Sequence, residues 1–217
     1  MNTRFFARST DEKRPRIRSI SGRSVQAGFT LIELLVVCGI IVVVSAVVLA
    51  NQNKFGGQVL LDSFAYDVAL SIRTAQVYGT GAHVTVCPSG SGFPGIYGIH
   101  FTKSDNTGYE IFADCNGDGV YESGIDTIAN GGTYTITHGY KISELCAPSA
   151  GCTQSLNTLD IAFQRPEPVA KISANGVSCI NDISNCETDA QITLVSPRGD
   201  TKAVTVSNNG QIDVQQN

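Results

Sequence analysis

The sequence predicts an α+β protein in which one long N-terminal helix, apolar in its first half and amphipathic in its second, packs on antiparallel β-sheet. Three observations lead there. Phe29 to Ala50 is an unbroken run of 22 mostly apolar residues. Gln58 to Tyr78 repeats its apolar residues at helical spacing, and beyond residue 80 the chain breaks into short β-type runs separated by turn residues.

Residues 1–28 are polar and basic and read as a leader that is cleaved. They carry seven Lys/Arg against Asp11 and Glu12, so of 15 basic and 19 acidic residues the rest of the chain holds eight and seventeen. A basic head, an apolar run and an acidic body follow the positive-inside arrangement, which keeps the head in the cytoplasm and exports the body. An acidic body is also poorly suited to binding phosphate backbones, so nucleic acid is not an expected partner.

Residues 29–50 form the expected transmembrane segment. As a helix they span about 33 Å, enough for the hydrocarbon core. Thr30, Glu33 and Ser45 are its polar side chains besides the Cys38 thiol. Residues 51–78 continue the helix, with Gly56-Gly57 as the place for a kink or joint, because glycine costs helix stability. Leu60, Phe64, Val68 and Ile72 then recur four residues apart, flanked by Leu61, Ala65, Ala69 and Ala75, while Asp62, Asp67 and Arg73 fall off the stripe. Such a face needs a partner surface. Gly79 is the expected C-terminal stop.

Residues 79–217 form the expected exported, β-rich domain. Strands are expected at 82–87, 96–102, 108–113, 133–137, 159–163 and 169–173, with a further one near 125–129. The closing hairpins are the clearest: Gln191–Ser196, a Pro197-Arg198-Gly199-Asp200 turn, Lys202–Ser207, an Asn208-Asn209-Gly210 turn, then Gln211–Val214. Turns of this kind between alternating runs specify hairpins. Neither the sheet nor the helix is stable alone, so the two are expected to pack together.

Six of the seven cysteines lie in the body. An even number in an exported domain indicates up to three disulfides. The two short loops favour Cys146 with Cys152 and Cys179 with Cys186, leaving Cys87 with Cys115. Free thiols or a zinc site are the other readings, though no CxxC spacing supports zinc. Cys38 reads as a small apolar residue rather than a lipid-anchored one, since Val37 precedes it and the apolar run continues past it.

The most informative stretch is Gly28-Phe29-Thr30-Leu31-Ile32-Glu33-Leu34-Leu35. A carboxylate inside an apolar span costs a few kcal/mol and marks function. A cut after Gly28 would place a new amine at Phe29, near Glu33 and the positive end of the helix. This stretch, within residues 22–50, resembles the processing site of type IV prepilins and pseudopilins. The resemblance implies cleavage at Gly28/Phe29 by a prepilin peptidase, methylation of the Phe29 amine, and Glu33 as the register mark between subunits. The helix SFAYDVALSIRTAQVYG, the segment YEIFADCNGDGVYESGIDTI and the hairpin ITLVSPRGDTKAVTVSNNGQI further resemble the GspH/FimT group of minor pilins and pseudopilins. That implies a pilin-like fold, a low-copy role in a type IV pilus or type II secretion pseudopilus, and other pilin subunits as partners. It also implies an inner (cytoplasmic) membrane location before assembly.

Two other functions stay open. One is a pilus-associated binding module, an adhesin or DNA receptor. The other is a soluble secreted protein cut near Ala50 after Val48-Leu49-Ala50, against which stand the length of the apolar run and Glu33. Asp114, Asn116 and Asp118 alternate like the start of a calcium loop, with Glu122 and Asp126 as added carboxylates, but Ile125 stands where an EF-hand needs its bidentate Glu. A glycine-rich hairpin turn is the other reading. Arg198-Gly199-Asp200 reads as a turn before it reads as an integrin tripeptide. His83, His100 and His138 are scattered with no carboxylate at a telling spacing, and no nucleophile or phosphate motif stands out, so the chain is not expected to be an enzyme.

Overall fold

The computed structural model describes residues 28–81, 83–88, 95–147, 152 and 155–215. The leader up to residue 27, and residue 82 of the first expected strand, lie outside them. The chain divides into two units, Met1–Val47 and Val48–Asn217. Helix α1 (Leu31–Thr80) supplies the described helix of the first unit and the opening element of the second. From Gly28 to Ala50 every residue is exposed. Leu31–Ala50 is long and apolar enough to cross a membrane.

In the second unit α1 stays helical through Gly56 and Gly57 and ends one residue beyond Gly79. Among the described residues nine strands follow: β1 (Ile96–Thr102), β2 (Gly108–Asp114), β3 (Thr127–Thr135), β4 (Lys141–Cys146), β5 (Thr158–Gln164), β6 (Ala170–Ala174), β7 (Asp189–Val195), β8 (Thr201–Ser207) and β9 (Ile212–Val214). They make two antiparallel sheets, one ordered β3-β2-β1-β5-β6 and one ordered β4-β7-β8-β9.

One core joins helix and sheets. Leu61, Ala65, Val68, Ile72 and Ala75 of α1 are buried with Ile99 and Phe101 of β1, Leu159, Ile161 and Phe163 of β5, and Ile192, Leu194, Val204 and Val206 of β7 and β8. Leu60, Phe64 and Ala69 pack at its margin. Each large aliphatic side chain buried this way stabilises the fold by about 1.5–3 kcal/mol before entropy is counted. Polar ties fix the helix along its axis. Gln76 Nε2 donates to the carbonyls of Pro168 (2.8 Å) and Gly210 (3.1 Å), and Ser71 Oγ shares a hydrogen bond with Tyr109 Oη (3.1 Å). Gly79 brings the last turn onto β5, because a Cβ there would lie 2.3 Å from the Phe163 carbonyl oxygen.

Three elements differ from expectation. Residues 83–87 have no regular secondary structure and join no ladder. Tyr97 Oη donates to the His83 carbonyl and Thr127 Oγ1 to the Val86 carbonyl, so side chains take the place of a neighbouring strand. The strands expected near 125–129 and at 133–137 are one strand, β3, whose register shifts opposite Glu110 and Phe112 where Gly131 adopts φ +74°. Strand β4 is unanticipated. A register irregularity between Ile142 and Glu144 breaks its alternation, leaving Leu145 and Cys146 both buried.

The two helix glycines yield a contrasting pair of expectations. Gly56→Ala, with nothing within 4 Å of the added methyl group, should stabilise the chain by up to about 1 kcal/mol. Gly79→Ala should destabilise it by about 1–3 kcal/mol, since the methyl group meets backbone that cannot yield. Thermal melts of both variants in detergent micelles check the signs.

Candidate processing and assembly site

The start of α1 is built from its own residues. The Glu33 N–H donates to Thr30 Oγ1 (3.3 Å) and the Leu34 N–H to the Thr30 carbonyl (3.1 Å), making Thr30 the N-cap. A Thr-x-x-Glu box is a known way to satisfy the free donors of a first helical turn. Thr30 was visible in the sequence only as a polar interruption, although this spacing was there to be read. Glu33 lies in that first turn. A Cβ added at Gly28 would meet nothing within 4 Å, and Phe29 is 83% exposed.

Within the second unit, the side of α1 away from the core carries an apolar line among exposed polar residues such as Ser63, Asp67 and Arg73. Val59, Tyr66, Leu70 and Val77, seven, four and seven residues apart, are each more than half exposed. At 3.6 residues per turn they fall on one line.

The acidic segment after β2 closes on itself. Asp114 accepts the N–H groups of Asn116 (3.2 Å), Gly117 (2.6 Å) and Gly119 (2.6 Å), and Asp126 those of Cys115 (2.9 Å) and Glu122 (2.8 Å). The remaining N–H groups from 118 to 121 go to Asn116, Asp118 and Asp160 side chains. Every N–H from Cys115 to Glu122 therefore meets a side-chain oxygen, and both oxygens of Asp114 and of Asp126 are engaged. These hydrogen bonds support the turn. Among the described residues, the three-ligand grouping of His, Cys, Asp and Glu falls elsewhere, at Glu144, Cys146 and Cys152, where the two sulfurs are joined. Burial pushes the Asp126 carboxyl up to about 6 and the Asp114 carboxyl above its usual range, against the pull of the N–H donors.

Beside this loop, sheet register assembles a row no spacing announced. Thr133, Glu110, His100, Asp160 and Ser173 lie directly opposite one another across β3, β2, β1, β5 and β6. His100 Nδ1 and Asp160 Oδ1 are 2.6 Å apart, and Asp160 is wholly buried. Burial raises the Asp160 carboxyl, and its bond to His100 opposes that rise.

Three disulfides brace the body: Cys87–Cys115, Cys146–Cys152 and Cys179–Cys186. Cys38 is free and exposed on the apolar helix. Arg198-Gly199-Asp200 forms the β7–β8 turn, with the Arg198 and Asp200 N–H groups both donating to Ser196 Oγ (3.3 and 3.1 Å). The Arg198 guanidinium lies against Gly57, 3.3 Å from where a Cβ would stand. The tripeptide is thus part of the packing of turn on helix.

Residues 23–49 match the family model of the prokaryotic N-terminal methylation motif. That motif supports a prepilin-like start to the chain, and with the apolar helix it is consistent with single-pass membrane anchoring. It also implies processing by a prepilin peptidase and assembly with other pilin subunits. Comparison with curated proteins and with solved structures found no match.

The raised carboxyls set a pH dependence. A group whose folded value exceeds its unfolded one adds stability at low pH and loses it as pH rises through the folded value. Asp126 loses its contribution around about pH 6, and Asp114 and Asp160 act in the same direction. The unfolding midpoint should therefore rise when pH is lowered from about 7.5 to about 5. A fall over that window, read by thermal melts, would contradict this account of the loop.

Proposed function

We propose that the chain is a structural, low-copy subunit of a type IV pilus or a type II secretion pseudopilus. Cleavage after Gly28 and methylation of Phe29 produce the mature form. The segment Leu31–Ala50 holds it in the inner membrane, with the acidic body outside the cytoplasm, until it is drawn into a filament. The observation that carries this reading is a methylation motif lying on an exposed apolar helix with Glu33 in its first turn. The helix packed on antiparallel sheet, closed by the β7–β8–β9 hairpins, supports the likeness to the GspH/FimT group.

The mechanism is assembly rather than catalysis. Cleavage frees an amine two residues before the helix begins, where the positive end of the helix dipole already favours a carboxylate. In a filament, burial against neighbouring helices replaces burial in lipid. An unpaired carboxylate in such a bundle costs several kcal/mol, so Glu33 favours the register in which an amine of its own chain or a neighbour meets it. The exposed line Val59, Tyr66, Leu70 and Val77 supplies a further apolar surface for a neighbouring subunit.

Two variants test this in a host carrying the assembly machinery. Glu33→Ala should be cleaved normally yet enter sheared filaments poorly. Leu70→Glu, at an exposed position, should keep its melting temperature while incorporation falls. Normal incorporation of Glu33→Ala would sink the register role.

A further inference from the structure

Two turns of the body close on α1 at Gly57. From the β3–β4 turn, Tyr140 Oη donates to the Gly57 carbonyl (2.9 Å). From the β7–β8 turn, the Arg198 guanidinium lies 3.3 Å from where a Gly57 Cβ would stand. The turns also meet each other, since a Cβ at Gly139 would lie 3.1 Å from Pro197 Cγ. Together they wall a cavity of about 350 Å³ that Leu60, His138 and Ser196 also line. Lys141 opens β4 directly opposite Val195 and is exposed at the same end of the sheet.

The charge of this end runs against that of the body. On residues 136–141 and 196–200 the charged side chains are Lys141, Arg198 and Asp200, and Asp200 accepts the Ser196 hydroxyl (3.2 Å). Asp62, further along α1, is held by Lys202 at 2.6 Å. Between Ala50 and Gly57 the sequence adds Lys54 and no carboxylate. An acidic body thus turns a cationic end toward the apolar segment of its own helix.

The position of that end decides what it meets. Gly57 stands seven residues beyond Ala50, where the apolar span stops. At 1.5 Å per residue that is about 10 Å of helix. A headgroup layer reaches about 5–7 Å beyond the hydrocarbon core on each side. The cavity therefore sits at the outer edge of the headgroups when Leu31–Ala50 spans a bilayer. An anionic headgroup layer attracts Lys and Arg over roughly a Debye length, about 8 Å at physiological salt.

We propose that this end of the body docks on the headgroups of anionic phospholipids, with Arg198 and Lys141 as the phosphate-binding cations. The proposal rests on Leu31–Ala50 spanning the membrane. The planar guanidinium of Arg198 suits a phosphodiester, whose two free oxygens it can bind as a fork. Docking fixes the height of the body above the bilayer while the chain waits to be drawn into a filament.

The full chain, with its disulfides intact and 15N-labelled at glycine, is placed in nanodiscs that carry a spin label on the headgroups. The lipid is phosphatidylcholine alone or with about a third phosphatidylglycerol. Gly139 and Gly199 report the two turns. Gly210, whose carbonyl binds Gln76 near the other end of the helix, reports the far side of the body. Relaxation of the Gly139 and Gly199 amides should exceed that of Gly210 and should rise with phosphatidylglycerol. Arg198→Gln and Lys141→Gln, the latter at an exposed position, should each remove about half of that rise or more, and Arg198→Lys should keep most of it. In an inserted chain, equal relaxation of the three glycines or indifference to phosphatidylglycerol would overturn the docking and leave the membrane reading standing. A chain whose apolar segment stays outside the disc would overturn both.

Discussion

Leu61, Ala65, Val68, Ile72 and Ala75 lie along one side of α1, and the rest of the second unit is arranged around covering them. No single sheet does so. Side chains from both the five-stranded and the four-stranded sheet meet this face, and the ties at Ser71, Gln76 and Gly79 fix how far along its axis the helix sits. Small residues at 65, 75 and 79 set the approach distance, and larger ones at 61, 68 and 72 fill the space between. Losing this face would leave two sheets, each with one exposed apolar side, and neither is stable that way.

The same helix bears two apolar surfaces of different fate. One face is satisfied within the chain. The line Val59–Val77 and the apolar segment Leu31–Ala50 are not, and a polypeptide keeps so much apolar surface uncovered only when lipid or another subunit will cover it. On the proposed reading Glu33 would give that surface a direction, because a carboxylate in apolar surroundings tolerates few registers. Three disulfides and a hydrogen-bonded acidic loop brace the body.

Much of this was legible in the residues. The helix face at 58–78 showed as a four-residue recurrence, and β1, β2 and the closing hairpins showed as alternation between turns. The N-terminal motif lay in eight consecutive residues. What failed did so for physical reasons. His83–Cys87 alternates like a strand, but alternation reports which side chains are buried, not whether a neighbouring backbone pairs. Strand β4 hid because an irregularity disrupts its period. The Asp160–His100 pair joins residues 60 positions apart and exists only through the β1–β5 register, which one sequence does not fix. The acidic loop stays legible both as a turn and as a calcium loop, because the carboxylate oxygens that accept backbone N–H groups are the same atoms that could hold an ion.

The central claim, that this helix is processed as a pilin, is tested most directly by the N-terminal residue and intact mass of the mature chain from a host with a prepilin peptidase. The account predicts a chain beginning at N-methylated Phe29. A chain beginning at unmodified Asn51 would contradict it, leaving a secreted domain in which Glu33 has no part.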